Sequence, residues 1–525
     1  MEKGKPKICV PVCVRRFDQL QPAIARAAEG ADLIEVRLDY LAVDELQQRK
    51  WELPELLRSL TRPVILTLRP TEYGGARSIS LRDRLLFRRD SPDGTKLDGF
   101  EFWDLEHDLA QFLRQREDQG WGQLHLGSCD WKQAIVSYHD VVSFPADLDA
   151  IFELLLSMPA AVLKIAVQAD DATDCLPVFN LLDRARREGR ELIAIAMGQA
   201  GVMTRILGPS RGSFLTYGSL DENSASAPGQ MTARELREVY RIDSINRETE
   251  IMGVIGRPVA HSISPYLHNA ALAQANINAV FLPFEVQDVD GFMLRMVRKD
   301  SRELDWNLRG FAVTAPHKSA VMKHLDWIEP AAKEIGAVNT IVVQDDELHG
   351  YNTDAAGFIG PLTSRIGSLD GVRCAVIGAG GAARAVVWAL RQERAIVTLF
   401  CRDPEKAKTV QDQFEVTCRP LADAMFEAFD VLINATPLGT LGELETETPV
   451  TAAQLRGVRL AYDLVYNPLE TRFLREARET GCGTVGGFEM LIGQAAEQFR
   501  LWTGKEPDVE SMRDAARRAL NNSGT

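Results

Sequence analysis

The sequence predicts an α/β protein in two halves: a closed (β/α)8 barrel, then a two-lobed α/β unit whose second lobe is a doubly wound parallel sheet. Three observations carry this reading. Short apolar runs alternate with charged, helix-like segments through the first half; a new series of strand, loop and helix patterns begins at Ile251; and a glycine-rich turn between a strand and a helix spans Gly378 to Ala383. At 525 residues the chain exceeds one ordinary domain of roughly 100 to 200 residues, and its 45% apolar content supports more than one core.

In order, the first-half strands are "KICVPVCV", "DLIEVRLDYL", "PVILTLRP", "FEFWDLE", "QAIVSYHD", "VLKIAVQ", "ELIAIAMG" and "SFLTYGS", ending near Ser219. Eight strand–helix units favour a barrel over an open doubly wound sheet. In "LIEVRLD", Ile34, Val36 and Leu38 share one face and Glu35, Arg37 and Asp39 the other. A barrel turns the apolar set toward its helices and the charged set inward. By the same parity Lys164, Ala166 and Gln168 face inward, as do Thr67 with Arg69 and Ser137 with His139.

A buried ammonium is costly unless it has a partner, an exit to solvent or a reason to be neutral. Taken singly, Glu35 and Arg37 read as a structural ion pair and His139 as a satisfied core histidine. Their convergence on an inward lysine favours chemistry. A lysine desolvated near other cations is partly neutral amine, a nucleophile that forms an imine with ketones. A histidine in reach can remove the proton acidified by that imine and later protonate a departing hydroxyl. Dehydration or aldol cleavage through a Schiff base is the expected chemistry.

"MTARELREVYRIDSINRETE" then reads as a last amphipathic helix and a short charged connector. In "GVIGRPVAHSISPYLHNAAL" a strand and loop lead into a helix that Ser264 can cap, with Pro265 in its first turn. "FAVTAPHKSAVM" places Lys318 in an expected first helical turn, where a cation opposes the helix dipole and a catalytic or anion-binding role fits better than a surface one. "GAVNTIV" and "GYNTDAAGF" place Asn339, Thr353 and Asp354 in loops after short strands. In "RCAVIGAGGAARAVVWAL", Gly378, Gly380, Gly381 and Ala383 follow a strand and open a helix, the setting in which a Rossmann domain cradles a pyrophosphate. Arg402, after the next strand, favours the 2'-phosphate of NADP, while neighbouring Asp403 keeps NAD open.

The ordered set "EVRLD", "VSYHD", "LKIAV", "MTRILG" and "SASAPGQMT", spread over roughly Pro6 to Tyr240, resembles the type I 3-dehydroquinate dehydratases. The resemblance implies Lys164 as the imine-forming lysine and His139 as general acid/base. It also implies Glu35, Arg37, Arg69, Arg205, Ser226 and Gln230 as substrate contacts, with Arg205 on the carboxylate. That family commonly has a glutamate just before a Gly-Gly; "RPTEYGG" has Tyr73 there and Glu72 one residue earlier, so the role of Glu72 stays open.

From Ile251 to Pro507, "HSISPYLHN", "VTAPHK", "GAVNT", "NTDAAGF", "GAGGAARA", "INATPLG" and "GGFEMLIGQAAEQF" resemble the shikimate dehydrogenases. This implies Ser262, Ser264, Thr314, Asn339, Thr353, Asp354, Tyr466 and Gln494 around shikimate, with Lys318 and Asp354 as the catalytic pair. It further implies an NADP site lined by Gly378, Gly380, Gly381, Arg384, Arg402, Asn434, Thr436 and Gly487. Ala312 and Cys401 stand where that family often has asparagines. The implied organisation is a dehydratase barrel at 1–241, a linker at 242–249, a substrate domain at 250–353 and 486–525, and a Rossmann NADP domain at 354–485.

Together these resemblances imply consecutive reactions, 3-dehydroquinate to 3-dehydroshikimate and on to shikimate. Retention of Lys164, His139, Lys318 and Asp354 argues against a regulatory sensor built from degenerate copies. An NAD-linked quinate or shikimate dehydrogenase running toward oxidation, and a class I aldolase in the first half, are the enzyme rivals. The net charge of -14 opposes nucleic-acid or anionic-membrane partners, leaving small molecules. No apolar run reaches the roughly 18 residues of a membrane span, and the N-terminus lacks a signal-peptide pattern, so a cytoplasmic location is expected. Eight scattered cysteines without a CxxC pair are expected to be reduced, and no metal site is indicated.

Overall fold

The computed structural model describes residues 5–89, 96–119, 129–221, 224, 226–405, 407–422 and 424–522. Eight strands form the first sheet: β1 (Ile8–Val12), β2 (Leu33–Arg37), β3 (Val64–Thr67), β4 (Phe102–Glu106), β5 (Ala134–Asp140), β6 (Val162–Gln168), β7 (Glu191–Met197) and β8 (Thr216–Tyr217). They pair in parallel in the order β7-β6-β5-β4-β3-β2-β1-β8. The ring closes where Ser213, just before β8, bridges to Leu192 of β7. The eight apolar runs of the sequence are therefore the eight staves of a barrel.

The interior is layered. Cys9, Leu33, Ile65, Phe102, Ile135, Val162, Ile193 and Leu215 pack together as an apolar floor, each from a strand or its immediate approach. Burying a Leu, Ile, Val or Phe side chain contributes about 1.5–3 kcal/mol, so this floor holds the strand register. Two residues further along, the period-two alternation returns side chains to the same interior, and the residue type switches to Glu35, Thr67, Asp104, Ser137 and Lys164. The polar layer thus lies toward the C-terminal strand ends.

The second half holds two sheets. β9 (Glu250–Gly256), β10 (Ala279–Glu285), β11 (Asn307–Val313), β12 (Trp327–Ile328), β13 (Thr340–Gln344) and β14 (Glu347–Tyr351) pair in the order β10-β9-β11-β13-β14-β12. β15 (Arg373–Ile377), β16 (Ile396–Cys401), β17 (Thr417–Pro420), β18 (Val431–Asn434), β19 (Leu460–Asp463) and β20 (Gly483–Val485) form a parallel sheet ordered β17-β16-β15-β18-β19-β20. The order reverses between β15 and β18, and the glycine turn that follows β15 opens at that switch point, where such sheets bind ligands.

The chain divides into two compact units. One comprises Met1–Thr249, Pro283–Met296 and Ser301–Trp306; the other comprises Glu250–Leu282, Val297–Asp300 and Asn307–Thr525. Among the described residues, no helix is long and apolar enough to cross a membrane.

Candidate active sites

Lys164 sits in β6 with 3% of its surface exposed. Its Nζ donates to Asp104 Oδ2 at 2.8 Å and to the Tyr217 hydroxyl at 3.0 Å, with Glu35 Oε1 at 3.9 Å. Arg69 binds Glu106 through Nε at 2.7 Å and Asp104 through Nη2 at 2.8 Å. His139 Nδ1 lies 3.1 Å from Glu106 Oε2, and Ser137 and Thr67 donate to Asp104 and Glu35. The lysine's cost of burial is thus met by an alternating network of buried charges. Asp104, Glu106 and Tyr217 were not among the residues picked out from sequence, although "FEFWDLE" carries the same inward parity.

Glu35, Arg37, Arg69, His139, Lys164, Arg205, Ser226 and Gln230, all expected from sequence, line one cavity. Arg37 is locked by a two-point contact to Asp39, at 3.0 and 2.8 Å. Ser226 donates from both its amide and its hydroxyl to Gln230 Oε1. Arg205 differs from the other cations. It is 2% exposed; its Nη2 donates to the Pro228 carbonyl at 3.3 Å, and among the described residues its Nε has no partner. Burial pushes its guanidinium down to about 10. A desolvated guanidinium that no described carboxylate neutralises is a ready site for an anionic group. Tyr73 lines the same cavity, whereas Glu72 is exposed and does not.

Burial alone would raise Asp104, Glu106 and Asp39. Lys164 and Arg69 outweigh it for Asp104, His139 and Arg69 for Glu106, and Arg37 for Asp39, so all three lie below their usual range. Burial, followed by the charge of Arg69, pushes His139 down, leaving its ring neutral at neutral pH. With ionised Glu106 accepting from Nδ1–H, the Nε2 lone pair is the free base.

The depressed carboxylates set a pH dependence. Their contribution to barrel stability is complete above the unfolded carboxylate range and is lost as pH falls below roughly pH 4. Thermal melts at pH 7, 5 and 3 should therefore show a midpoint that changes little between pH 7 and 5 and falls at pH 3. Asp104→Asn should be less stable at pH 7 and decline less steeply; equal slopes for variant and parent would remove Asp104 from this account.

In the second unit, Ser262, Ser264, Thr314, Lys318, Asp354, Tyr466 and Gln494 line one cavity. Lys318 Nζ lies 2.5 Å from Asp354 Oδ2. Asn339 and Thr353 stand behind that pair: Asn339 Nδ2 donates to Asp354 Oδ1 at 2.8 Å and to Thr353 Oγ1 at 2.9 Å, and neither residue lines the cavity. Gln494 is set by helix contact, since a Cβ on Gly357 would come within 2.8 Å of its backbone nitrogen.

Three local expectations shift. Ser264 does not cap: it is the first residue of the helix Ser264–Gln274, Ile263 occupies the cap position without a side-chain bond, and the serine faces the cavity. Lys318 lies in a turn ahead of the 3-10 helix Ala320–His324, so Asp354, rather than a helix dipole, sets its electrostatics. Asp354 opens the helix Asp354–Ile366 instead of lying in a loop.

The glycine turn fits a dinucleotide. Gly378 has φ 116°, and a Cβ there would meet the Ala435 carbonyl at 2.8 Å; a Cβ on Gly380 would meet nothing, so the space before the helix Gly381–Gln392 is open. A Cβ on Gly381 would lie 3.5 Å from Lys318 Cδ, so the turn approaches the Lys318 side chain. Arg402 is exposed just past β16. Arg384 donates to the Ile335 carbonyl at 2.9 Å and to Gln413. Asn434 is fully buried and shapes the loop after β18, donating to Asp463 and accepting from Thr436. Gly487 begins the helix Gly487–Thr503, where a Cβ would lie 2.3 Å from the Leu464 carbonyl. Among the described residues, no cluster of His, Cys, Asp and Glu could hold a metal ion.

The family model described as type I 3-dehydroquinase matches residues 8–247. Models for the shikimate dehydrogenase substrate binding domain, shikimate / quinate 5-dehydrogenase and the shikimate 5'-dehydrogenase C-terminal domain match residues 254–341, 362–443 and 487–517. The chloroplastic bifunctional 3-dehydroquinate dehydratase/shikimate dehydrogenase of Arabidopsis thaliana is 33% identical over 525 residues, covering 96% of this chain and 83% of that protein. The shikimate dehydrogenases (NADP(+)) of Methanococcus aeolicus and Methanocaldococcus jannaschii are 37% and 40% identical over 281 residues, each covering 52% of this chain and 98% and 97% of their own length. Similarity that runs through both halves of one relative, in the same order, places this chain in the family of bifunctional 3-dehydroquinate dehydratase/shikimate dehydrogenases.

Proposed function

We propose that the chain dehydrates 3-dehydroquinate in its barrel and reduces the resulting 3-dehydroshikimate to shikimate, with NADPH, in its second unit. The observation that carries the first reaction is the shared cavity of Lys164, His139 and Arg205, which offers a nucleophile, a neutral base and an unneutralised cation to one substrate. Arg205 takes the substrate carboxylate, while Glu35, Arg37, Arg69, Ser226 and Gln230 orient the ring hydroxyls. Asp104, bonded to Lys164 Nζ, orients that nitrogen, which attacks in its neutral form after its proton has passed to water. The amine adds to the ketone, water leaves, and the imine draws electrons from the neighbouring carbon. His139 Nε2 removes the proton there and returns it to the departing hydroxyl. Hydrolysis of the imine releases the enone and restores Lys164.

For the second reaction, Lys318 donates a proton to the carbonyl oxygen as charge develops on it, and Asp354 holds the ammonium in place. Asn339 and Thr353 act through Asp354, which is their positioning role. Ser262, Ser264, Thr314, Tyr466 and Gln494 hold the substrate ring. Gly378, Gly380, Gly381, Arg384, Arg402, Asn434, Thr436 and Gly487 form or shape the nucleotide site, in which Arg402 would hold the 2'-phosphate. NADPH, when bound, supplies the hydride. We assign the chain to a barrel at 1–241, a linker at 242–249, a substrate domain at 250–353 with 486–525 and a nucleotide domain at 354–485; within the substrate stretch, Pro283–Met296 and Ser301–Trp306 fall in the barrel's compact unit.

One assay tests the reading. Given 3-dehydroquinate and NADPH, the protein should form shikimate while enone absorbance passes through a transient and NADPH falls. NADP should outperform NAD, and shikimate should outperform quinate in the reverse direction; the opposite preferences would point to a catabolic dehydrogenase.

His139→Ala separates imine formation from proton transfer. Dehydration should fall by about 10²–10⁴-fold, while borohydride still fixes substrate on Lys164 by intact mass. Loss of trapping would place His139 at the imine-forming step instead.

A further inference from the structure

The sulfurs of Cys401 and Cys418 lie 3.2 Å apart, inside ordinary van der Waals contact, yet both are free thiols. Cys401 ends β16 and Cys418 lies in neighbouring β17. The parallel register pairs Leu399 with Cys418 and Cys401 with Pro420, which puts both cysteines on one face of the sheet. Cys401 is 8% exposed and Cys418 is half-buried.

We propose that this pair is an oxidation site, closed to an intramolecular disulfide by hydroperoxides, and that closure weakens binding of the nucleotide cofactor. The second clause rests on the nucleotide site proposed above. The amide of Gly378 donates to the Phe400 carbonyl at 2.9 Å, and Arg402 follows Cys401 directly. The end of β16 therefore carries both an anchor of the glycine turn and the expected 2'-phosphate contact. Drawing the sulfurs to a bond of about 2.05 Å pulls this strand end toward β17.

Burial and the hydrogen bond with Cys418 push the Cys401 thiol up to about 12, so Cys418, the more exposed sulfur, meets the oxidant first. Cys418 attacks the peroxide, breaks its O–O bond and becomes a sulfenic acid, releasing one water. Cys401 then attacks that sulfur, and the hydroxide displaced leaves with the thiol proton as a second water. Two thiols and one peroxide give one disulfide and two waters.

The test treats the reduced full chain with hydrogen peroxide, caps remaining thiols and maps peptides without reduction. The same samples are assayed for dehydratase rate and for NADPH dependence with 3-dehydroshikimate. A peptide linking Cys401 to Cys418, two hydrogens lighter, is expected. KM for NADPH should rise about fivefold or more, with kcat and dehydratase rate held within about twofold and full recovery in a thiol reductant. Cys418→Ser should keep the parental KM before and after peroxide. Absence of the linked peptide overturns the oxidation site; a linked peptide with unchanged KM overturns the effect on cofactor; a rise in KM that persists in Cys418→Ser overturns the pair as its cause. If the reduced protein does not use NADPH at all, the nucleotide reading falls while the peptide map still decides the oxidation site.

Discussion

Lys164→Ala should make no detectable enone from 3-dehydroquinate yet consume NADPH at the parental rate when given 3-dehydroshikimate. Without the nucleophile there is no imine to acidify the neighbouring carbon, and the remaining groups only bind substrate. A loss of at least about 10⁴-fold is expected. The variant does not strand the carboxylate it leaves behind, because Asp104 keeps Arg69 at 2.8 Å and the Ser137 hydroxyl. Breaking a buried pair still costs about 3–5 kcal/mol, so the thermal midpoint has to be measured beside the rate. Lys164→Arg is the sharper companion: it keeps the charge facing Asp104, but a guanidinium is not a nucleophile at neutral pH. Both variants should lose the borohydride adduct formed with 3-dehydroquinate. Appreciable enone from either, or an adduct mapped to a different lysine in the parent, would end the Schiff-base assignment.

The sequence made the strands and the inward face legible because alternation along a strand is local. "LIEVRLD" and "VLKIAVQ" state by themselves which side chains share a face. What meets across the barrel is not local: Lys164 and Asp104 are separated by 60 residues, and only ring closure brings them together. "FEFWDLE" therefore reads as a strand, while the part played by Asp104 and Glu106 depends on partners at three other strands, β3, β5 and β6. The isolation of Arg205 is still less accessible to sequence, since it is a property of what fails to surround it. At the second site the errors have a common cause. Pro265 is tolerated at either of the first two helical positions, so the serine before it could be a cap or a first-turn residue, and packing selects the latter. Asn339 and Thr353 were recognisable by motif, but their place behind Asp354 required the neighbouring strands β13 and β14 to be set side by side.

Lys318→Ala should reverse the phenotype of the barrel variant. Supplied with 3-dehydroquinate and NADPH, it should accumulate enone to the level set by the first reaction while NADPH persists. The ammonium supplies both charge stabilisation for the developing alkoxide and the proton that quenches it. Removing one preorganised donor of this kind costs about 10²–10³-fold, and loss of the general acid adds to that, so a fall of about 10³-fold or more is expected. Asp354→Asn probes the support of that group. Asp354 is held on Oδ1 by Asn339 and pairs with Lys318 through Oδ2, so the variant must turn an amide donor toward either the Asn339 amide or the Lys318 ammonium. The cation loses its anchor, and reduction should drop by about 10²-fold or more with KM for NADPH little changed. Dehydratase activity in the same tube reports whether the chain is intact. Consumption of NADPH at the parental rate by Lys318→Ala would reduce the Lys318–Asp354 contact to a structural salt bridge and require a different proton donor for the reduction.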